Sequence, residues 1–133
     1  MSMQREKPDA ERKEKNMLNI IKSGKPDGTE LTKQDLYYLT KAPNAQKMSF
    51  ADSSRLELYA WCIYTDKTED GDEREIFALR TPDGEVFATN SPTFIRSMYD
   101  ILDVFDPTEI HAILVCSAQS KAGRTFYTAV YAG

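Results

Sequence analysis

The chain has 133 residues, 41% hydrophobic and 29% charged, with 6 Gly and 6 Pro, which suits one globular domain with ordinary loops and argues against two full ones. Unbroken apolar runs such as Ala60 to Tyr64 are too short for a membrane helix, and the N-terminus alternates charges where a secretory signal would carry a basic and then an apolar region, so a soluble, cytoplasmic protein is expected. The net charge of -4 excludes a uniformly basic nucleic-acid coat, but residues 65–90 alone hold 8 acids and 3 bases, and the near-neutral remainder can still form a local basic surface.

Residues 4–16 are almost wholly charged and predict a tail or a frayed helix. The apolar cluster Met17, Leu18, Ile20 and Ile21 then precedes Ser23, Gly24, Pro26 and Gly28, whose turn chemistry would stop a helix begun near Pro8. This places a flexible boundary near residue 30, between a charged, partly helical extension (1–30) and the main domain (31–133). Thr32 can cap a short helix with Asp35 in its first turn, Leu36 and Leu39 on one face and Pro43 beyond its end.

After Ser54 the alternation changes to that of a strand, with Leu56, Leu58, Ala60 and Cys62 expected on the core face and Glu57, Tyr59, Trp61 and Ile63 facing out. The acidic stretch Thr65 to Glu73 predicts a hairpin loop centred on Gly71, followed by a second strand from Glu75 to Arg80. Thr81-Pro82-Asp83-Gly84 predicts a turn into a third strand, Glu85 to Thr89, and so a three-stranded meander. Ser91-Pro92 is a strong helix start, and Phe94, Ile95, Met98, Ile101, Leu102 and Phe105 form one apolar stripe before Pro107. Two further strands, Ile110 to Ser117 and Thr125 to Tyr131, join through Ser120-Lys121-Ala122-Gly123.

The order β-β-β-α-β-β is that of a mainly β, five-stranded OB-fold barrel, which binds oligonucleotides or oligosaccharides on its outer face. If the turn pairs Leu79 with Phe87, then Phe77, Leu79 and Phe87 face out with Tyr59 and Trp61, while Ile76, Ala78, Val86 and Ala88 point inward. An outer aromatic row flanked by cations is what sequence-tolerant single-strand binding requires. The candidate cations are Lys41, Lys47, Arg55, Arg80, Lys121 and Arg124, whereas the acidic hairpin would repel phosphate.

No enzyme chemistry emerges. Ser120, Asp70, Asp72, Asp100 and Asp103 lack a phosphate loop, nucleophile elbow or metal motif around them, and His111 reads as structural. Cys62 and Cys116 read as reduced, buried thiols, and with one histidine and no Cys-x-x-Cys pair a structural zinc site has too few ligands.

The stretches Ile76 to Gly84, Glu85-Val86-Phe87-Ala88-Thr89-Asn90-Ser91, the helix to Phe105 and Ser120-Lys121-Ala122-Gly123-Arg124-Thr125-Phe126 together resemble the small single-stranded-DNA-binding proteins of phages that infect Gram-positive bacteria. The resemblance spans residues 31–133. It implies an OB-fold, cooperative sequence-nonspecific coating of single-stranded DNA alongside replication proteins in the host bacterial cytoplasm, and no cofactor. It also implies base stacking on Tyr64 and Phe87. Tyr64 has core parity by strand count, so that role requires a bulge to re-aim it. The chain ends at Tyr131-Ala132-Gly133 without the acidic tail by which cellular single-strand-binding proteins recruit partners. The alternative is an acidic interaction or inhibitor module that presents the same aromatic face to a protein.

Overall fold

A computed structural model of the chain describes residues 18–67 and 70–133. The described residues form eight strands and two α-helices, in order β1 (Leu18–Gly24), α1 (Lys33–Thr40), β2 (Gln46–Lys47), β3 (Arg55–Glu57), β4 (Ala60–Lys67), β5 (Glu73–Arg80), β6 (Val86–Thr89), α2 (Pro92–Val104), β7 (Ala112–Gln119) and β8 (Thr125–Tyr131). Short 3-10 turns cover Met48–Ala51 and Pro107–Glu109. The strands form a five-stranded sheet in the order β1-β4-β5-β6-β2 and a three-stranded sheet in the order β3-β7-β8. The fold is mainly β, as expected. The five-stranded closed barrel is not: among the described residues no ladder joins β6 to β8, so the two sheets stay separate.

Local chemistry explains the elements that match expectation. Thr32 and Asp35 close a reciprocal capping box at the start of α1, satisfying two amides that the helix itself leaves unpaired. The Ser91 hydroxyl accepts from the Phe94 N–H, and Pro92 occupies the first turn of α2. The meander has the expected register, Leu79 opposite Phe87, around a turn in which Gly84 takes φ 94°, a conformation that costs glycine little.

The first predicted strand is two strands. The Leu58 N–H donates to the His111 carbonyl at 2.9 Å, on the side of the three-stranded sheet, while the next amide, that of Tyr59, donates to the Arg80 carbonyl at 2.7 Å, in the five-stranded sheet. The chain changes sheets here, and its side-chain alternation slips by one residue. Leu56 and Leu58 therefore share the main core with Trp61 and Ile63 rather than with Ala60 and Cys62.

That slip reverses the expected faces of β4, β5 and β6. Trp61, Phe77, Leu79 and Phe87 are buried against Phe94, Ile95, Met98 and Ile101 of α2 and against Ile113 and Val115 of β7. Phe77 packs 6.4 Å from Trp61 and 5.7 Å from Phe94 between ring centroids. The opposite face of the five-stranded sheet presents Ala60, Cys62, Tyr64 and Ala78, with Ile76 and Ala88 half-buried beside them, and Leu39 of α1 covers part of it.

Residues 18–24, expected to end a helix, are instead an edge strand paired along β4, with an irregularity between Ile20 and Lys22. The charged segment 4–16 and the expected helix start near Pro8 lie outside the described residues. The sheet thus extends to the N-terminal side of the boundary expected near residue 30. A Cβ on Gly24 would stand 2.8 Å from the Pro107 side chain and 2.9 Å from the Trp61 ring, so glycine permits the close approach of β1 to the core. On the other side, β2 pairs in parallel with β6, and Ser53 and Ser54 exchange hydrogen bonds with Val115 of β7. Met48 and Ala51, between these contacts, are buried in the main core.

Because Phe77 fills the centre of this core, Phe77→Ala is expected to lower unfolding stability by about 3–5 kcal/mol, read from the shift of the urea midpoint. An unchanged midpoint would mean that the ring is not enclosed. Burial raises the Cys62 thiol to about 12, whereas Cys116 is only partly covered, so a thiol reagent at pH 8 should label Cys116 readily and Cys62 only on unfolding.

Candidate nucleic-acid interface

Of the residues expected to bind, the structure brings two together. Tyr59 stands at the sheet switch and is 39% exposed, and the backbone bond from its N–H to Arg80 places it beside the end of β5. The Arg80 guanidinium carbon lies 5.7 Å from the Tyr59 ring centroid and 4.4 Å from that of Tyr38 on α1, so one cation touches two tyrosine rings. Tyr38 is 36% exposed and packs edge-on against Tyr37, with centroids 5.5 Å apart. Among the described residues Arg80 forms no ion pair, and its buried Nε has no hydrogen-bond partner. A guanidinium stacked on aromatic faces keeps its in-plane donors free for an anion.

Lys25 also engages Tyr59. Its ammonium lies 4.8 Å from the ring centroid, donates to the Tyr59 hydroxyl at 3.4 Å and pairs with Asp35 at 2.9 Å. Both partners are buried, and the Asp35 carboxylate also completes the capping box of α1 by accepting from the Thr32 N–H. The ion pair therefore ties the helix that carries Tyr38 to the loop after β1, and through Lys25 to Tyr59. The hydrogen bond to Asp35 raises the Lys25 pKa above its ordinary value. Burial pushes the Asp35 carboxyl up, but the Thr32 backbone N–H, Lys25 and the Thr32 hydroxyl together outweigh it and leave the carboxyl below its ordinary value.

The remaining expected site residues lie elsewhere. Trp61, Phe77 and Phe87 are 1%, 0% and 5% exposed in the main core, so the outward aromatic row is not formed, for the reason given by the slip at Tyr59. Tyr64 does turn to the outer face, re-aimed by that same slip, but it sits against Leu39 at 5% exposure, and burial, with smaller contributions from Cys62 and Asp66, raises its hydroxyl to about 12. Lys121 and Arg124 are exposed on the β7–β8 hairpin, in the other sheet. Arg55 is engaged with Glu57 at 3.3 Å and with the Ala132 carbonyl. Lys41 and Lys47 are exposed.

Lys25, Tyr37 and Tyr38 were not singled out from the sequence. The tandem tyrosines on a short capped helix were the available signal, since Tyr37 and Tyr38 cannot both face the side that Leu39 buries. Among the described residues no three His, Cys, Asp or Glu side chains gather as a metal site, and no helix is long and apolar enough to cross a membrane. Comparisons with protein-family models, with curated proteins and with solved structures return no match.

The Lys25–Asp35 pair generates a pH test. Asp35, with its depressed folded pKa, contributes stability that is present above the ordinary carboxylate value of 3.8 and lost as pH falls through the folded value. Lys25, with its raised pKa, contributes stability that is present below 10.5 and lost as pH rises through the folded value. Asp35→Ala is expected to cost about 3 kcal/mol at neutral pH, because it leaves a buried ammonium unpaired. Its deficit relative to the parent should stay level from about pH 5 to 10 and narrow below about pH 4. A deficit that did not narrow below about pH 4 would mean that the ionised carboxylate does not stabilise the fold through either Lys25 or the Thr32 N–H.

Proposed function

We propose that the protein binds single-stranded DNA without sequence preference, on an OB-like barrel left open along one side, through Tyr38, Arg80, Tyr59 and Lys25. The topology supports the barrel reading. One chain segment, β3 followed by β4, serves both sheets, a meander continues from it, and α2 separates that meander from the closing β7–β8 hairpin. The observation that carries the binding reading is the Arg80 guanidinium, lacking a carboxylate partner among the described residues and resting on two tyrosine rings that are each more than one-third exposed. Rings take bases of any identity by stacking, and a guanidinium takes the phosphate between them.

Of the rings expected to stack bases, Trp61, Tyr64, Phe77 and Phe87 are buried, so the role stays with Tyr59 and Tyr38 joins it. Phage origin and a role in coating replicating single strands belong to the same proposal, resting on the sequence resemblance. Because Trp61 is enclosed, its emission is a poor reporter, and anisotropy of a fluorescently labelled oligo-dT is the suitable measurement. We expect saturable binding that weakens as salt rises, little binding of duplex DNA, and a loss of about 1–3 kcal/mol in affinity for Arg80→Ala or Tyr59→Ala with the fold retained. Absence of oligo-dT binding at low salt would remove the proposal and leave the acidic protein-interaction module as the reading to pursue.

A further inference from the structure

A second concave surface lies on the same outer sheet face, at the opposite end of β5 from Arg80. It encloses about 410 Å³ between β5, β6, β2 and β8, and is lined by Lys47, Arg74, Asn90 and Tyr127 over an apolar floor of Ile76 and Ala88. No acidic side chain is among the described residues lining it. The β-alternation accounts for this selection despite the acidic hairpin nearby. Arg74 and Ile76 share the outer face, while Glu75 turns to the other side, where it accepts from the Tyr99 hydroxyl of α2 at 3.4 Å. Asp66, across from Arg74 on β4, is not part of the lining.

Two cations, an amide, a phenol ring and an apolar floor form a site for a ligand with one planar, weakly polar part and one anionic part. Resting on the proposed single-strand binding, we infer that this groove takes a second nucleotide unit of the strand bound at Arg80, with its base against Tyr127 and the Ile76–Ala88 floor and its phosphate at Lys47 and Arg74. At about 3.4 Å per residue, Arg74 and Arg80 stand roughly 20 Å apart along β5. At the stacked spacing of about 3.4 Å per nucleotide the direct distance equals roughly six nucleotides, and the strand must pass around α1, whose Leu39 covers Ala78 between the two arginines. A strand must exceed a minimum length to engage both places.

The test compares labelled dT3 with dT12 on the full chain, for the parent and for the double variant Lys47→Ala, Arg74→Ala, whose mutated side chains are exposed and whose urea midpoint is measured alongside. We expect the double variant to bind dT12 about tenfold more weakly, with a shallower dependence on salt, and to bind dT3 as the parent does. Tyr127→Leu, which keeps a smaller apolar side chain against the main core but removes the ring, should likewise weaken dT12 and spare dT3, with its urea midpoint measured in the same way. Parent and double variant binding dT12 equally, with equal salt dependence, would overturn the groove assignment while leaving the Arg80 site intact. An equal loss on both lengths would also overturn it. Failure of the parent to bind either oligonucleotide would instead remove the single-strand reading itself, and this inference with it.

Discussion

Two consecutive amides, those of Leu58 and Tyr59, donate to carbonyls in different sheets, and the rest of the architecture depends on that divergence. A strand in continuous register would have kept Leu56, Leu58, Ala60 and Cys62 on one side and Trp61 on the other. By passing from one sheet to the next within two residues, the chain offers large side chains to a single interior from both sheets: Leu56 and Leu58 from one, Trp61 and Ile63 from the other. Small residues, Ala60, Cys62 and Ala78, are left on the outer face, where α1 can approach closely enough for Leu39 to be buried. Around the middle of β4 and β5, size distinguishes the two faces of this sheet.

The same divergence leaves Tyr59 at the corner. A residue at the switch belongs fully to neither ladder, and its side chain is partly exposed although its neighbours Leu58 and Ala60 are buried. Arg80, bonded to it through the backbone, is drawn to that corner, and Lys25 is held there by the buried pair with Asp35. The buried ion pair therefore orders the edge of the cluster. Removing either charge would strand the other in a poorly solvated position, so helix, loop and tyrosine are fixed together rather than as three separate surface contacts.

Most elements were legible because their signals are local. Ser91-Pro92 with its apolar stripe, the Thr32 capping box, the Thr81 to Gly84 turn and the Leu79–Phe87 register all depend on residues near one another in sequence. What escaped was non-local. Whether Trp61 or Cys62 faces the core depends on which sheet accepts the Leu58 and Tyr59 hydrogen bonds, and alternation read along one strand carries no mark of a change in partner. A one-residue slip was enough to bury the ring row in the main core and turn Ala60, Cys62 and Ala78 toward α1 instead. The requirement that Tyr64 be re-aimed by a strand irregularity was the one indication of it in the sequence. Residues 18–24 were misread for a related reason: Met17, Leu18, Ile20 and Ile21 suit an apolar helix face as well as an edge strand, and only pairing with β4 decides between them.

Charge placement reconciles a net charge of -4 with a surface meant for phosphate. The acids concentrate in the β4–β5 hairpin, and Arg80 lies seven residues from Glu73 along β5, roughly 24 Å at strand rise. The screening length at physiological salt is about 8 Å, so the hairpin has little effect on the potential at Arg80. Arg74 has no such separation, with Glu73 and Glu75 as chain neighbours and Asp66 opposite it. Lowering the salt strengthens at each arginine both its attraction for phosphate and the repulsion of phosphate by nearby acids, Asp83 and Glu85 in the turn beside Arg80 and Glu73, Glu75 and Asp66 around Arg74. Contact at the Arg80 end does not depend on the hairpin, whereas contact at the Arg74 end sets the direct touch of its cations on phosphate against the hairpin acids, which offset part of its salt-dependent gain.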